Sequence, residues 1–199
     1  MELERIIDLG YELGMTQERY EITEAASFLK REKINSFLEI GTDRGGTFLV
    51  WSKILEKEDG VKISIDWAHG PWGNNQYNIE ERDKTLKSIG GNVKILNGDS
   101  HSEKIRDQLK KVLNGNKVDF LFIDGDHSYT GVKLDYYMYK DFVKTGGWIG
   151  FHDIKNTEFH RKSGCYVDLF WEEINIEKVW FFADQVEYGG IGMMKKLDD

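Results

Sequence analysis

Residues 36–47, S-F-L-E-I-G-T-D-R-G-G-T, constrain this chain more than any other stretch. Phe37, Leu38 and Ile40 form an apolar run of strand type that stops at Gly41, and Gly45 and Gly46 follow closely. Phe48, Leu49, Trp51, Ile54 and Leu55 then recur at helical spacing. A buried strand, a glycine turn and a helix N-terminus, in that order, form the unit from which doubly wound α/β proteins build their ligand crevice. Glycines there let backbone approach a ligand at distances that a Cβ would forbid.

The same turn discriminates between ligands. A dinucleotide fingerprint, G-x-G-x-x-G, turns free amides and a helix dipole on a pyrophosphate. Here Asp43 stands at the middle glycine position and Glu39 lies two residues before Gly41. Two carboxylates repel phosphates and suit a ligand that carries positive charge and no phosphate. S-adenosylmethionine, with a sulfonium and an α-ammonium, has that chemistry. A dinucleotide-dependent oxidoreductase is the competing enzyme reading, and a non-catalytic S-adenosylmethionine-binding module is the third.

Composition removes other classes. A length of 199 residues with 40% apolar and 13% aromatic content suits one ordered domain with one sizeable core. The net charge is −8 and the lysines are scattered among acids, which argues against a nucleic-acid binder. Cys165 is the single cysteine, so no internal disulfide and no C-x-x-C metal pattern can form; it reads as a small buried or half-buried residue. Five charges in the first fifteen residues argue against a signal peptide, and no 18-residue apolar run could span a bilayer. The expected compartment is the cytoplasm.

Along the chain, helical patterns are expected over residues 3–13, closing at Gly14, and from a Thr16 cap to about Arg31. This N-terminal helical cap (1–33) precedes a core over 34–199, within one domain. After the first strand and its helix (about 46–58), Val61–Asp66 is an alternating strand. Asp66 lies 25 residues beyond Gly41, close to the spacing at which a second-strand acid meets ribose hydroxyls. Trp67–Asn78 is a long aromatic and amide-rich loop, a candidate for part of the substrate or adenine enclosure. Helices are expected at Glu80–Ile89, Ser102–Leu113, Tyr129–Lys144 (ending at Gly146–Gly147) and Tyr166–Ile174. Strands are expected at Val93–Leu96, Val118–Asp124, Trp148–His152, Lys178–Phe182 and Ile191–Lys195. The sum is a Rossmann-like, doubly wound α/β fold: a seven-stranded, mostly parallel sheet with an antiparallel last strand.

Ligands of parallel α/β sheets bind outside the carboxyl ends of the strands. Those ends supply Glu39 and Asp43, then Asp66, Asp99, Asp124 with Asp126, and His152 with Asp153. Crowded carboxylates raise each other's pKa unless something positive sits among them. The pattern therefore calls for a sulfonium ligand, a divalent metal, or both. Asp124, His152 and Asp153 end adjacent strands and can converge on Mg²⁺, while His127 and His152 favour Mn²⁺, Fe²⁺ or Zn²⁺. Either histidine could instead serve as general base. His69, His101 and His160 read as structural.

The segments F-L-E-I-G-T-D-R-G-G-T, K-I-S-I-D-W, N-G-D-S, F-L-F-I-D-G-D-H-S-Y-T-G-V-K-L-D and G-G-W-I-G-F-H-D-I carry a resemblance. Together with the weaker G-G-I-G-M-M they resemble class I S-adenosylmethionine-dependent methyltransferases over about residues 35–195. The likeness is to small-molecule O-methyltransferases, the macrocin O-methyltransferase-like and cephalosporin-hydroxylase-like group. It implies methyl transfer from S-adenosylmethionine to a hydroxyl of a sugar or natural product. Glu39, Gly41 and Gly45 would sit at the methionine moiety, with Thr42 of the same turn. Asp66 would meet the ribose, with Trp67 beside it, and Asp99 and Ser100 would face the adenine. Asp124 would lie against the cofactor and, with His152 and Asp153, hold Mg²⁺ or Mn²⁺. Relatives with a secure metal site carry an acid or amide where this chain has His152, so a metal-free site with His127 or His152 as base stays open. Asp126 stands beside them as a third candidate for acid–base work. The expected partner is a hydroxylated small-molecule acceptor, with a homo-oligomer as a further option.

Overall fold

The computed structural model describes residues 1–70, 72 and 78–198. Seven strands form one sheet: β1 (Phe37–Ile40), β2 (Val61–Asp66), β3 (Asn92–Asn97), β4 (Val118–Ile123), β5 (Val143–Phe151), β6 (Lys178–Phe181) and β7 (Ile191–Lys195). Their order is β3-β2-β1-β4-β5-β7-β6. The first five pair in parallel, and β7 runs antiparallel to both β5 and β6. The final two strands lack a crossover helix, so β7 must run back alongside β6. It enters the sheet between β6 and β5.

Helices α3 (Gly46–Ile54), α4 (Ile79–Ser88), α5 (Glu103–Leu113) and α6 (Tyr129–Tyr139) connect the parallel strands, and α7 (Glu158–Ser163) and α8 (Val167–Glu173) follow β5. Alternation along β1 divides the interior. Leu38 and Ile40 point into a core shared with α5, α6 and α8, while Phe37 points to the other face. There α1 (Leu3–Glu12) and α2 (Arg19–Arg31) bring Ile6, Ile7, Ile22 and Leu29 against Trp51, Phe120 and Phe122. Trp51 meets the two phenylalanine rings edge-on, at centroid distances of 5.4 and 5.2 Å. The N-terminal helices are thus built into the main core.

Local boundaries differ from the sequence reading in three places. Helix α2 is capped by Glu18 rather than Thr16: the Glu18 carboxylate accepts the Tyr20 and Glu21 amides, and Glu21 returns a bond to the Glu18 N–H. Helix α3 ends at Ile54, and α6 gives way at Lys140 to a single 3₁₀ turn. Gly146–Gly147, expected to end that helix, instead lie inside β5. Gly146 has φ +76°, and the β4–β5 register shifts between Val118 and Phe120, so the glycines form a bulge that periodicity alone could not separate from a helix end.

Candidate active site

The strand tips open into one cavity of about 810 Å³. Its walls include Gly41, Thr42, Asp43, Asp66, Trp67, Asp99, Ser100, Asp124, Asp126, His127, His152 and Asp153. Parallel pairing is what gathers them, because it aligns the carboxyl ends of β1 to β5 on one edge. Two anticipated residues lie outside the lining. Glu39 is fully buried beneath the floor, and Gly45 packs against Leu86, whose Cδ2 would lie 2.4 Å from an added Cβ.

The glycine turn is tight for a different reason from the one its sequence suggests. Gly41 has φ +83°, and a Cβ on it would lie 2.0 Å from the carbonyl oxygen of Asp124. A Cβ on Gly46 would strike Gly10 and Met15 at 2.5–2.7 Å. Neighbouring backbone and the N-terminal cap, rather than a ligand, require these glycines. Asp43 is itself left-handed at φ +45°. The turn is held from below by Asp66, whose Oδ2 accepts the Thr42 and Asp43 amides at 2.8 Å each. Its Oδ1 lies 3.1 Å from Arg82 Nη1, a guanidinium buried under α4 that also reaches Asp83 and Asn97.

On the far side of the cavity, acids and imidazoles alternate. His152 Nδ1 is 3.1 Å from Asp124 Oδ1 and 3.4 Å from Asp153 Oδ1, and its Nε2 is 3.0 Å from Glu21 Oε1. Gln17 donates to Asp124 Oδ2 at 2.7 Å and accepts from Thr47 at 2.9 Å. Asp153, left-handed at φ +61°, receives His127 Nδ1 at 2.6 Å and lies 3.2 Å from His160 Nε2. Cys165 is buried beside them, and the Trp72 ring packs on His127 at a centroid distance of 4.9 Å. Residues 71 and 73–77 of the Trp67–Asn78 loop lie outside the described residues.

These contacts fix charge. Burial alone would depress the His127 imidazole, but its hydrogen bonds to Asp153 and Cys165 and the charges of Asp153 and Asp124 together outweigh that and lift it to about 10. Burial likewise opposes charge on His152, and the carboxylates of Asp124 and Asp153 overcome it and hold His152 well above 6.5. Asp153 is kept well below the usual carboxylate range against its burial, chiefly by His152 and His127. Both sets of contacts favour the charged form of the rings while the site holds no cation of its own. They and Arg82 also supply much of the positive charge that the clustered acids require, so crowding by itself does not demand a metal. Glu39 is the exception. Burial, then Asp124, raise it well above its ordinary value, more than the neighbouring Thr42 and Trp51 lower it, and neither of its oxygens has a hydrogen bond of ordinary geometry among the described residues.

At the opposite end, His101 Nε2 lies 3.2 Å from Asp135, which is fully buried on α6, and the His101 amide donates to Asp99 at 2.9 Å. The Asp135 carboxylate raises His101, while burial raises Asp135 more than His101 lowers it. Tyr139 donates to the Ser100 carbonyl and clamps the same loop. His101 and His160, read from sequence as structural, thus both line the cavity. Gln17, Glu21 and Arg82 carried no motif that would have revealed them, and Asp135, which closes the segment F-L-F-I-D-G-D-H-S-Y-T-G-V-K-L-D, was given no role from sequence.

A family model described as a methyltransferase domain matches residues 38–154, more than half of the chain and all five parallel strand tips. The chain belongs to this methyltransferase family. It is 30% identical over 121 residues to an uncharacterized protein of Acanthamoeba polyphaga mimivirus, covering 61% of this chain and 52% of that one. The methyltransferase chain thus spans about half the length of the curated relative it matches. In fold it is similar to the O-methyltransferase TomG of Streptomyces achromogenes, involved in tomaymycin synthesis and solved with SAM. The TM-score there is 0.62 at 13% identity, over 98% of this chain and 89% of that one. It is also similar to an O-methyltransferase of Bacillus cereus in complex with SAH, with TM-score 0.58 at 16% identity, over 98% and 90% of the two chains. Among the described residues, no helix is long and apolar enough to cross a membrane.

Proposed function

We propose that this methyltransferase transfers a methyl group from S-adenosylmethionine to a hydroxyl oxygen of a small molecule. The observation that carries the reading is the single cavity in which the Gly41 turn, Asp66, Asp99–Ser100 and Asp124 succeed one another along the strand tips. The buried, unpartnered Glu39 carboxyl beneath it fits a ligand cation, because a positive charge nearby would favour its ionised form. Gly41 and Thr42 would flank the methionine moiety, with Glu39 acting through the floor and Gly45 shaping the turn. Asp66 and Trp67 would face the ribose, and Asp99, Ser100 and His101 the adenine. Asp66 would serve the ribose with lone pairs left over from the turn amides and Arg82. Bound S-adenosylmethionine would supply the methyl group to the acceptor oxygen, its sulfonium becoming a thioether as the acceptor hydroxyl gives up its proton.

The chain's own contribution is alignment and proton handling. Of the three acid–base candidates, Asp126 lines the cavity with no imidazole ion pair among the described residues, so the acceptor proton would go to it. Trp72, Phe159 and Tyr188 shape the acceptor side. The Asp124, His152 and Asp153 set also fits a divalent ion. Bonds of about 2.1 Å put neighbouring ligand atoms about 3.0 Å apart in an octahedron and about 3.4 Å in a tetrahedron. The separations from His152 Nδ1 are 3.1 and 3.4 Å. A nitrogen among the donors favours Mn²⁺ over Mg²⁺. Such an ion would lower the acceptor hydroxyl's pKa.

Thermal shift decides the cofactor class. S-adenosylhomocysteine should raise the melting temperature, and NAD(P) should not. The reverse result would defeat the reading in favour of a dinucleotide-dependent oxidoreductase.

A further inference from the structure

We infer that Glu21, on the N-terminal cap helix α2, is a positioning residue for His152, fixing the ring so that Nδ1 faces Asp124 and Asp153. The inference rests on the divalent-ion reading of those three residues and extends it to a helix that carries no family motif.

Glu21 is 1% exposed and its carboxylate is fully employed. Oε1 accepts the Glu18 amide at 2.9 Å and lies 3.0 Å from His152 Nε2, and Oε2 accepts the Gly190 amide. The side chain thus joins the first turn of α2, the tip of β5 and the entry to β7. Space for it is reserved: Gly189 has φ +76°, and a Cβ there would lie 2.7 Å from the Glu21 carboxylate. An acceptor at Nε2 obliges that nitrogen to carry a proton, so Nδ1 is the atom left to serve the cavity side. A histidine that binds a metal through one nitrogen and donates the other N–H to a carboxylate has its ring orientation and tautomer set by that carboxylate. Gln17 does the matching service for Asp124, holding Oδ2 so that Oδ1 stays turned toward His152. The cap thereby reaches two of the three donors, across 131 and 107 residues of sequence.

The test is Mn²⁺ binding to the full chain, followed by the loss of the free-ion electron paramagnetic resonance signal. S-adenosylhomocysteine affinity is measured on the same samples. Wild type should bind Mn²⁺. Glu21→Gln, which keeps the side-chain length, and Glu21→Ala should each weaken Mn²⁺ by about 10- to 100-fold, with homocysteine-ligand affinity changed less than threefold. Equal Mn²⁺ affinity in wild type and variants would overturn the inference while leaving the ion reading intact. A parallel loss of both ligands would also overturn it, because Glu21 would then hold only the fold. A wild type that leaves the Mn²⁺ signal unchanged would defeat the ion reading itself, and this positioning role with it.

Discussion

Replacing Asp66 by alanine should cost this methyltransferase stability as well as cofactor affinity. A group that only met the ribose would be missed only when ligand is present. Here the carboxylate holds two turn amides at 2.8 Å and faces a guanidinium whose side chain is 2% exposed. Removing one partner of a buried ion pair costs about 3–5 kcal/mol, since the other charge is left in a low-dielectric site. The lower end applies, because Asp83 and Asn97 continue to accept from Arg82. Two orphaned amides add about 1 kcal/mol each. The sum is about 5 kcal/mol, and at about 2–4 °C per kcal/mol for a chain of this size the melting temperature should fall by roughly 10–20 °C. Differential scanning fluorimetry without ligand measures that loss, and calorimetry with S-adenosylhomocysteine measures affinity. The double variant Asp66→Asn with Arg82→Met should recover part of the stability, because neither charge is then stranded. A ligand-free melting temperature within 2 °C of wild type would refute the argument and leave Asp66 a ribose contact alone.

Other expectations follow from the same site. Glu39→Gln should stabilise the ligand-free protein by about 1–3 kcal/mol at pH 7.5 while weakening S-adenosylmethionine, since it removes a buried carboxyl that has no partner. The sign follows from its raised pKa: stability present below about 4.5 is lost as pH rises toward the folded value, so the variant's gain should grow from pH 5 to 7.5 in thermal melts. A gain that shrank over that range would contradict the burial argument. Asp153→Asn should let His127 fall from about 10 toward 6.5, read by NMR titration of the ring. Because the folded His127 pKa is raised, the stability cost of that variant should be largest below pH 6.5 and fade as pH nears 10. Dialysis against EDTA should reduce methyl transfer and added Mn²⁺ should restore it. Full activity in chelator would leave Asp124 and Asp153 as partners of the imidazoles only.

The site was legible in part because its residues sit at positions that periodicity marks. Asp66, Asp99, Asp124 and Asp153 each end an apolar run, and a parallel sheet carries such ends to one edge whatever lies between them. The roles were harder to read. His127 and His152 stand beside acids, which in sequence looks equally like a base, a ligand or an ion pair. The distances, 2.6 Å and 3.1 Å, put each ring in hydrogen-bond contact with an acid from another strand tip, which the sequence alone could not pair. The glycine bulge in β5 was misplaced because Gly-Gly after a helical pattern carries the same local signal as a helix end.

What the sequence determined alone is the succession of the seven strands along the chain, that of every helix but α7, and the row of acids at the strand tips. These follow from short-range rules: side-chain alternation along a strand, spacing along a helix, and glycine where φ is positive. What only the tertiary structure decided is the partner of each acid. Arg82 reaches Asp66, Gln17 reaches Asp124 and Glu21 reaches His152 because helices far away in the chain pack at angles that set their side-chain ends within 3 Å or so of the tips. A one-dimensional pattern has no term for those angles, and hydrogen-bond energy falls away within a fraction of an ångström.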